Sequence, residues 1–281
     1  MQIIHQLYDR LVPALAILIL LLFLLESRFQ LRKRIAPRWK RVIINMVVSL
    51  PSFSLLRFVF IPAMVWLAFA NQSLRFGINY WFHPYGSIKM VIAFLMLDYG
   101  NYVWHLMNHK FSFLWRFHLV HHTDLDLDVS TAFRFHFGEL IGSVLFRGAI
   151  TMLSGASPIA VLVYEILFEA ATQFHHSNLR LPAKTEHLLN LFFVTPRMHG
   201  IHHSVVKNET DSNYSVIFSF WDRFHRTICL NVPQTEIVIG VPSYNSSKEL
   251  SSWYLLKLPF TKIRAWKAGS DEAEQDKEPG T

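Results

Sequence analysis

The chain has 281 residues and a formal net charge of +7, with 52% hydrophobic and only 17% charged residues, against roughly 25% charged in soluble domains. That balance excludes an ordinary water-soluble globule and makes a lipid bilayer part of the solvent. A single cysteine, Cys229, beside 15 histidines excludes an internal disulfide, a thiolate zinc site and an iron–sulfur cluster, so a metal here is bound by imidazole or carboxylate.

Residues 1–27 open like a secretory signal, yet no small-x-small cleavage site follows Leu25 and the positive charges come after the apolar run. The segment reads as a retained membrane helix. Its 19-residue apolar stretch from 7 to 25 crosses a bilayer if Asp9 and Arg10 sit at the headgroups. The basic run RFQLRKRIAPRWKR follows at 28–41. A cytoplasmic loop accounts for it better than a nucleic-acid surface, and no nucleic-acid partner is expected. The second apolar run, 42–70, is longer than one crossing needs and contains Pro51, Pro62 and, near its middle, Arg57. It is expected to kink or tilt, with Arg57 snorkelling or meeting a partner on another helix.

Tyr80, Trp81 and Tyr85 suit an interfacial aromatic belt ahead of a third helix over 87–108, which returns the chain to the cytoplasmic side. Apolar segments 140–153 and 159–174 flank the helix-breaking SGASP at 154–158. Each spans roughly 21–24 Å at ~1.5 Å per residue, short for a ~30 Å core. A re-entrant helical hairpin that enters and leaves from one side is therefore expected, keeping the histidines on either side of it on the same membrane face. The acidic, Gly- and Pro-containing end at 270–281 has no apolar face to bury and is expected to be disordered. The fold class is an all-α integral membrane protein: N-terminal membrane helices over 1–87, a histidine-bearing region over 88–230, an extension over 231–269 and the tail.

Three histidine groups carry the chemistry: HLMNH (His105, His109), HLVHH (His118, His121, His122) and HGIHH (His199, His202, His203). Spacings of three and four put each group on one helical face. Composition alone would produce HxxHH roughly 0.04 times in such a chain, and it occurs twice. Lone histidines on apolar helices are more often hydrogen-bonded core residues, the reading applied to His5, His83 and His187. Imidazole suits iron, zinc, copper and nickel. Zinc sites usually close at four ligands, so eight clustered imidazoles imply two metals with positions left for dioxygen. Redox iron is favoured, because attack on a saturated chain needs a strong oxidant. His176 (in the pair with His175) and His136 (in RFHFGE) are further candidate metal ligands. Asp98 and Tyr102 share a stripe with His105 and His109 at spacings of four, three and four, and Asp98 is a candidate to orient a ligand imidazole. Thr195 and Pro196 read as the N-cap and first turn of the last ligand helix. The run DLDLD, with Asp124, Asp126 and Asp128, reads as a solvated turn rather than a carboxylate metal site.

At these residues the chain resembles the fatty acid hydroxylase superfamily, and within it bacterial sterol desaturase family proteins. The likeness runs from about 97 to 227 through LDYGNYVWHLMNH, LWRFHLVHH, DLDVSTAFRFH, HHSNLRLP, VTPRMHGIHHSVV, ETDSNYS and FWDRFHRT, in that order. The resemblance implies a catalytic domain over 88–230, a cytoplasmic-side di-iron cluster, dioxygen as co-substrate, and hydroxylation or desaturation of a sterol, fatty acyl, carotenoid or ether lipid. Two departures stand out: Phe137 where members carry proline after RFH, and His225–Arg226 where they carry an apolar residue and glycine in WDRLFGT. The second is expected to alter the turn after Arg223 without touching the metals.

The leading expectation is an oxygenase of the bacterial cytoplasmic membrane in which the eight clustered histidines and His176 hold two irons. Electrons come from a separate donor such as a ferredoxin, cytochrome or reductase, because the chain carries no flavin or nicotinamide fingerprint. The alternative is a histidine-rich membrane metal-binding or transport protein without oxygenase activity, which would string its ligands along the crossing helices. A zinc hydrolase is disfavoured for want of HExxH.

Overall fold

The computed structural model describes residues 2–266; the acidic end at 270–281 lies outside them. Among the described residues the fold is entirely helical, with isolated β-bridges and no strand. Helix α1 (Gln2–Arg28) is 27 residues long, about 40 Å at ~1.5 Å per residue, and turns Ile17, Leu20, Leu21 and Leu24 outward. An apolar exterior of this kind suits hydrocarbon rather than water.

Helices α2 (Arg38–Leu55) and α3 (Ile61–Leu74) are joined by a π-helical turn at Leu56–Phe60. The expected kink is thus a widened turn. The amide of Ile61 reaches back five residues to the carbonyl of Leu56. Pro62, which has no N–H and whose ring crowds the carbonyl four residues back, follows directly, and the extra residue in the turn relieves that clash. After α4 (Ile78–Trp81), the chain enters α5 (Gly86–Lys110) and α6 (Ser112–His122), then the hairpin of α7 (Phe137–Ser154) and α8 (Pro158–His176). At the hairpin tip Gly155 takes φ +66°, and the Ser157 hydroxyl accepts from the amide of Ala160 to start α8. Gly77 lies so close against this tip that a Cβ there would stand 2.5 Å from the carbonyl of Met152, which only glycine tolerates.

Three helical stretches among the described residues are long and apolar enough to cross a membrane: Asp9–Arg28, Arg38–Trp81 and Phe137–Ser154. The expected third crossing, α5, is not one of them. It has 25 residues, but Lys89, Asp98 and its histidines dilute the apolar run. Conversely α7 begins at Phe137 rather than 140 and qualifies on length. Helix α5 is central, packed against α6, α7 and α8, while α1 lies along α8. The remaining helices are short: α9 (Ala183–Asn190), α10 (Pro196–His202), α11 (Lys207–Thr210), α12 (Phe220–His225) and α13 (Ser252–Lys257). Leu255 and Leu258 reach back to Val48, Leu119 and Val120 in one buried cluster, so the C-terminal segment covers α2 and α6.

The acidic run after α6 is not a solvated turn. Asp124, Asp126 and Asp128 are buried around Arg41 of α2. Its Nε and Nη2 donate to the two oxygens of Asp124 at 2.7 and 2.8 Å, and its Nη1 donates to Asp128 at 2.7 Å. Burial alone would lift the Asp124 pKa; Arg41, with Arg134 behind it, outweighs burial and holds it well below the usual carboxylate range. Asp126 accepts instead from the amides of Ile35 and Ala36 at 3.0 and 2.9 Å. Alternating charge suggested solvent because the partner, 83 residues away, is invisible to any local window.

A candidate metal centre at one end of the bundle

Each ligand helix ends at the same place. His105 and His109 occupy the final turns of α5, His121 and His122 close α6, His176 closes α8, and His199 and His202 lie on α10 with His203 as its C-cap. Helix α10 starts where expected: the Thr195 hydroxyl accepts from the amide of Met198 at 3.4 Å and Pro196 fills the first turn.

The side chains sort into two groups, one of His105, His109, His118, His122 and His202, the other of His121, His176, His199 and His203, all buried. Within each group one nitrogen per residue lies within 4.8 Å of every other. Nε2 atoms approach closely: His118 and His122 at 3.2 Å, His121 and His176 at 3.0 Å, His176 and His199 at 3.0 Å, and His199 and His203 at 3.1 Å. Two nitrogens at right angles, each about 2.1 Å from a shared cation, stand about 3.0 Å apart, so these separations fit ligands beside one another on a metal. Nε2 of His105, His109 and His202 is buried without a hydrogen-bond partner among the described residues, a cost that a cation removes.

The opposite ring nitrogens explain the aim. Nδ1 of His105 donates to the carbonyl of Tyr214 at 2.8 Å, that of His176 to Thr172 at 2.8 Å, and that of His202 to Ser212 at 2.7 Å. Nδ1 of His118 donates to Oε1 of Glu139 at 3.0 Å. A proton committed on Nδ1 leaves the Nε2 lone pair for a metal. Burial, then the neighbouring imidazoles, push His121, His122, His199 and His203 well below the usual histidine range; His202 is lowered by burial and then by His105. They are neutral at physiological pH, the state that binds cations.

Four candidate residues stand elsewhere. His136 belongs to neither group: it caps α7, its Nδ1 accepting from the amide of Gly138 at 3.0 Å while Nε2 faces the carbonyl of Leu256 at 3.1 Å. His175 donates from Nδ1 to the carbonyl of Val216 at 3.1 Å and packs against His199 with ring centroids 4.1 Å apart. Asp98 contacts no imidazole; it accepts from the indole N–H of Trp221 at 2.8 Å and the amide of Phe218 at 3.3 Å. The hydroxyl of Tyr102 lies 3.1 Å from that of Thr227. Asp98 and Tyr102 thus hold the 214–227 segment, whose Tyr214 carbonyl anchors His105. Glu139, which sequence reasoning passed over, is the carboxylate that orients His118, a candidate ligand. Its place in RFHFGE, three residues beyond His136, was the available signal. In the 214–227 segment Arg226 takes φ +58°, the left-handed region that glycine enters freely, at a backbone cost of about 1–2 kcal/mol.

The fatty acid hydroxylase family model matches residues 90–227, the stretch that contains both groups. The chain is similar to ornithine lipid hydroxylase OlsE of Rhizobium tropici, 29% identical over 55% of this chain and 46% of that protein. It is similar to alkylglycerol monooxygenase of Danio rerio at 31% identity, over 62% of this chain and 38% of the relative. A cholesterol 25-hydroxylase-like protein of Danio rerio matches at 29%, over 50% of this chain and 55% of the relative. The chain therefore spans about half or less of the length of these relatives. No solved structure matches it.

Proposed function

We propose, from the match of residues 90–227 to the fatty acid hydroxylase family model and the likeness to lipid hydroxylases, that the chain is a membrane-bound, dioxygen-dependent lipid hydroxylase whose two histidine groups hold two irons. The observation that carries this reading is the convergence of nine buried imidazoles at one end of the long helices. A histidine relay for ion transport would instead spread ligands along a crossing. The relatives are named for hydroxylation of ornithine lipid, alkylglycerol and cholesterol, which favours insertion of a hydroxyl group over desaturation. The substrate is accordingly a membrane lipid.

When bound, the iron pair would supply the oxidant, placing one atom of dioxygen in a lipid C–H bond and releasing the other as water with two electrons and two protons. The chain's own contribution is position and exclusion. His105, His109, His118, His122 and His202 would hold one ion, and His121, His176, His199 and His203 the other. Their Nδ1 anchors on Tyr214, Thr172, Ser212 and Glu139 fix the imidazoles before any metal arrives. The four-ligand group leaves more room for an added ligand than the five-ligand group. Burial of all nine side chains keeps water from the reacting carbon. The basic loop at 28–41 supports a cytoplasmic position for this end of the bundle, within reach of an external electron donor.

The test is metal content and lipid oxidation in purified protein, with His121→Ala and His202→Ala as variants, one in each group. Iron bound to the parent chain, and both iron and turnover lost in each variant while detergent-stable size is kept, is the expected result. Zinc in place of iron, or full iron and normal turnover in both variants, overturns the proposal.

A further inference from the structure

The proposed reaction draws two electrons from outside the chain, and they need a way in. A recess of about 270 Å³ opens beside the histidine centre. His109 forms its inner wall, and Lys110, Lys207 and Arg264 line it with Trp115 and Trp266. Among the described residues no carboxylate lines it. Asp211 pairs with Lys207 at 3.0 Å and with Lys110 at 3.6 Å, and Glu249 pairs with Arg264. Two acids against these three cations, with exposed Lys262 alongside, leave the mouth positive.

Behind the mouth the rings form a continuous series. Trp266, partly exposed and fixed by its indole N–H donating to the carbonyl of Val205 at 2.9 Å, has its centroid 6.2 Å from that of Trp115. Trp115 stands 4.9 Å from His109 and 5.4 Å from His122, again between centroids. The ammonium of Lys207 sits 5.2 Å from the Trp115 ring and 5.0 Å from the Trp266 ring, tying the two indoles together. Electron transfer weakens steeply with each gap between orbitals, so a series of neighbouring π systems from surface to ligand is the favourable route. In the other basic stretch, 28–41, three arginines are already paired, Arg41 with Asp124 and Asp128 and both Arg34 and Arg38 with Glu26.

We propose that this recess is the docking and electron-entry site for a small acidic one-electron carrier protein, with Trp266 and Trp115 as the route to His109 and His122. The proposal rests on the reading of the centre as redox iron. Each docking oxidises the carrier by one electron and reduces the centre by one. Two dockings supply the pair that, with two protons, converts the second oxygen atom of dioxygen to water. Opposite charge at the rim steers the carrier and sets its orientation.

The experiment uses the full-length, iron-loaded enzyme in detergent, under anaerobic conditions, with a reduced acidic [2Fe–2S] ferredoxin as probe. Affinity and the rate of ferredoxin oxidation at saturation are read separately. The double variant Lys110→Glu/Arg264→Glu is expected to weaken ferredoxin binding about tenfold at low salt, an effect that fades at high ionic strength, while iron content and photoreduction by deazaflavin stay unchanged. Trp266→Leu should leave affinity intact and slow electron transfer at saturation, and Trp266→Phe should restore the rate. Lys33→Glu, on the other basic stretch, should change neither. Unaltered ferredoxin affinity in the double variant overturns the proposal, as does equal weakening by Lys33→Glu. So does a recess that loses binding to anionic lipid vesicles while ferredoxin binding persists. A parent protein without iron, or with iron that deazaflavin does not reduce, fails at the earlier step and overturns the redox reading together with the docking site.

Discussion

Replacing Arg41 with methionine keeps much of the side-chain volume and removes the guanidinium. The variant strands Asp124 and Asp128, both buried, and frees the carbonyl of Asp126, to which Nη2 donates at 2.9 Å. Removing one partner of a buried ion pair costs about 3–5 kcal/mol, a large part of a total stability of about 5–15 kcal/mol. At about 2–4 °C per kcal/mol for a chain of this size, thermal unfolding in detergent should fall by roughly 6–20 °C. The pH dependence sharpens the test. Arg41 depresses the Asp124 pKa in the native state, so this contribution is fully present above the unfolded value of about 3.9 and is lost only as pH falls through the still lower folded value. Wild type therefore keeps it throughout the range from about pH 5 to 8. In the variant Arg134 and the hydrogen bond from Asn45 still oppose burial but Arg41 no longer does, so the Asp124 pKa rises above its wild-type value and the penalty is largest at high pH and shrinks as acid protonates the group. Scanning calorimetry of both proteins across that range checks this. A melting difference under about 2 °C, or one that widens on acidification, would refute the reasoning.

Glu139→Ala removes the acceptor for Nδ1 of His118 and should weaken metal retention about 10–100-fold, read by chelator competition, whereas Glu139→Gln keeps an acceptor oxygen and should stay near wild type. Equal retention in Ala and Gln variants would deny the orienting role. His136→Ala should keep its metal and lose about 1 kcal/mol through the missing α7 cap, and His83→Ala, at an exposed position between α4 and α5, should change neither metal nor turnover. Metal analysis beside thermal melting distinguishes these, and metal loss in either variant would contradict the assignment of ligands.

The eight clustered histidines were legible because a helix repeats its face every three to four residues, so HLVHH and HGIHH announce their geometry locally. The Thr195 cap and the break at 154–158 were readable for the same reason. What stayed hidden depends on pairs far apart in the chain. Arg41 and Asp124 meet only after α2 folds onto the loop beyond α6, and Glu139 reaches His118 only when α7 packs beside α6. His136 carried a histidine's ambiguity: the same nitrogen that binds a metal also accepts an amide at a helix start, and nothing within RFHFGE distinguishes them. The π turn at Leu56–Phe60 was half visible, since Pro62 demanded an accommodation without stating which.

The lacing of the first helices to the loop at 124–128 also bears on how the chain is assembled. Synthesis delivers α1 and α2 to the bilayer long before residues 124–128 exist, so Glu26 and Arg41 wait without their final partners while later helices are made. Arg41 stays near water until the loop arrives, and its capture by Asp124 and Asp128 locks α2 against the end of α6, which carries His121 and His122. A nascent chain halted before residue 124 therefore holds five of the nine imidazoles of the two groups but lacks both the other four and the acidic run that draws α2 against α6.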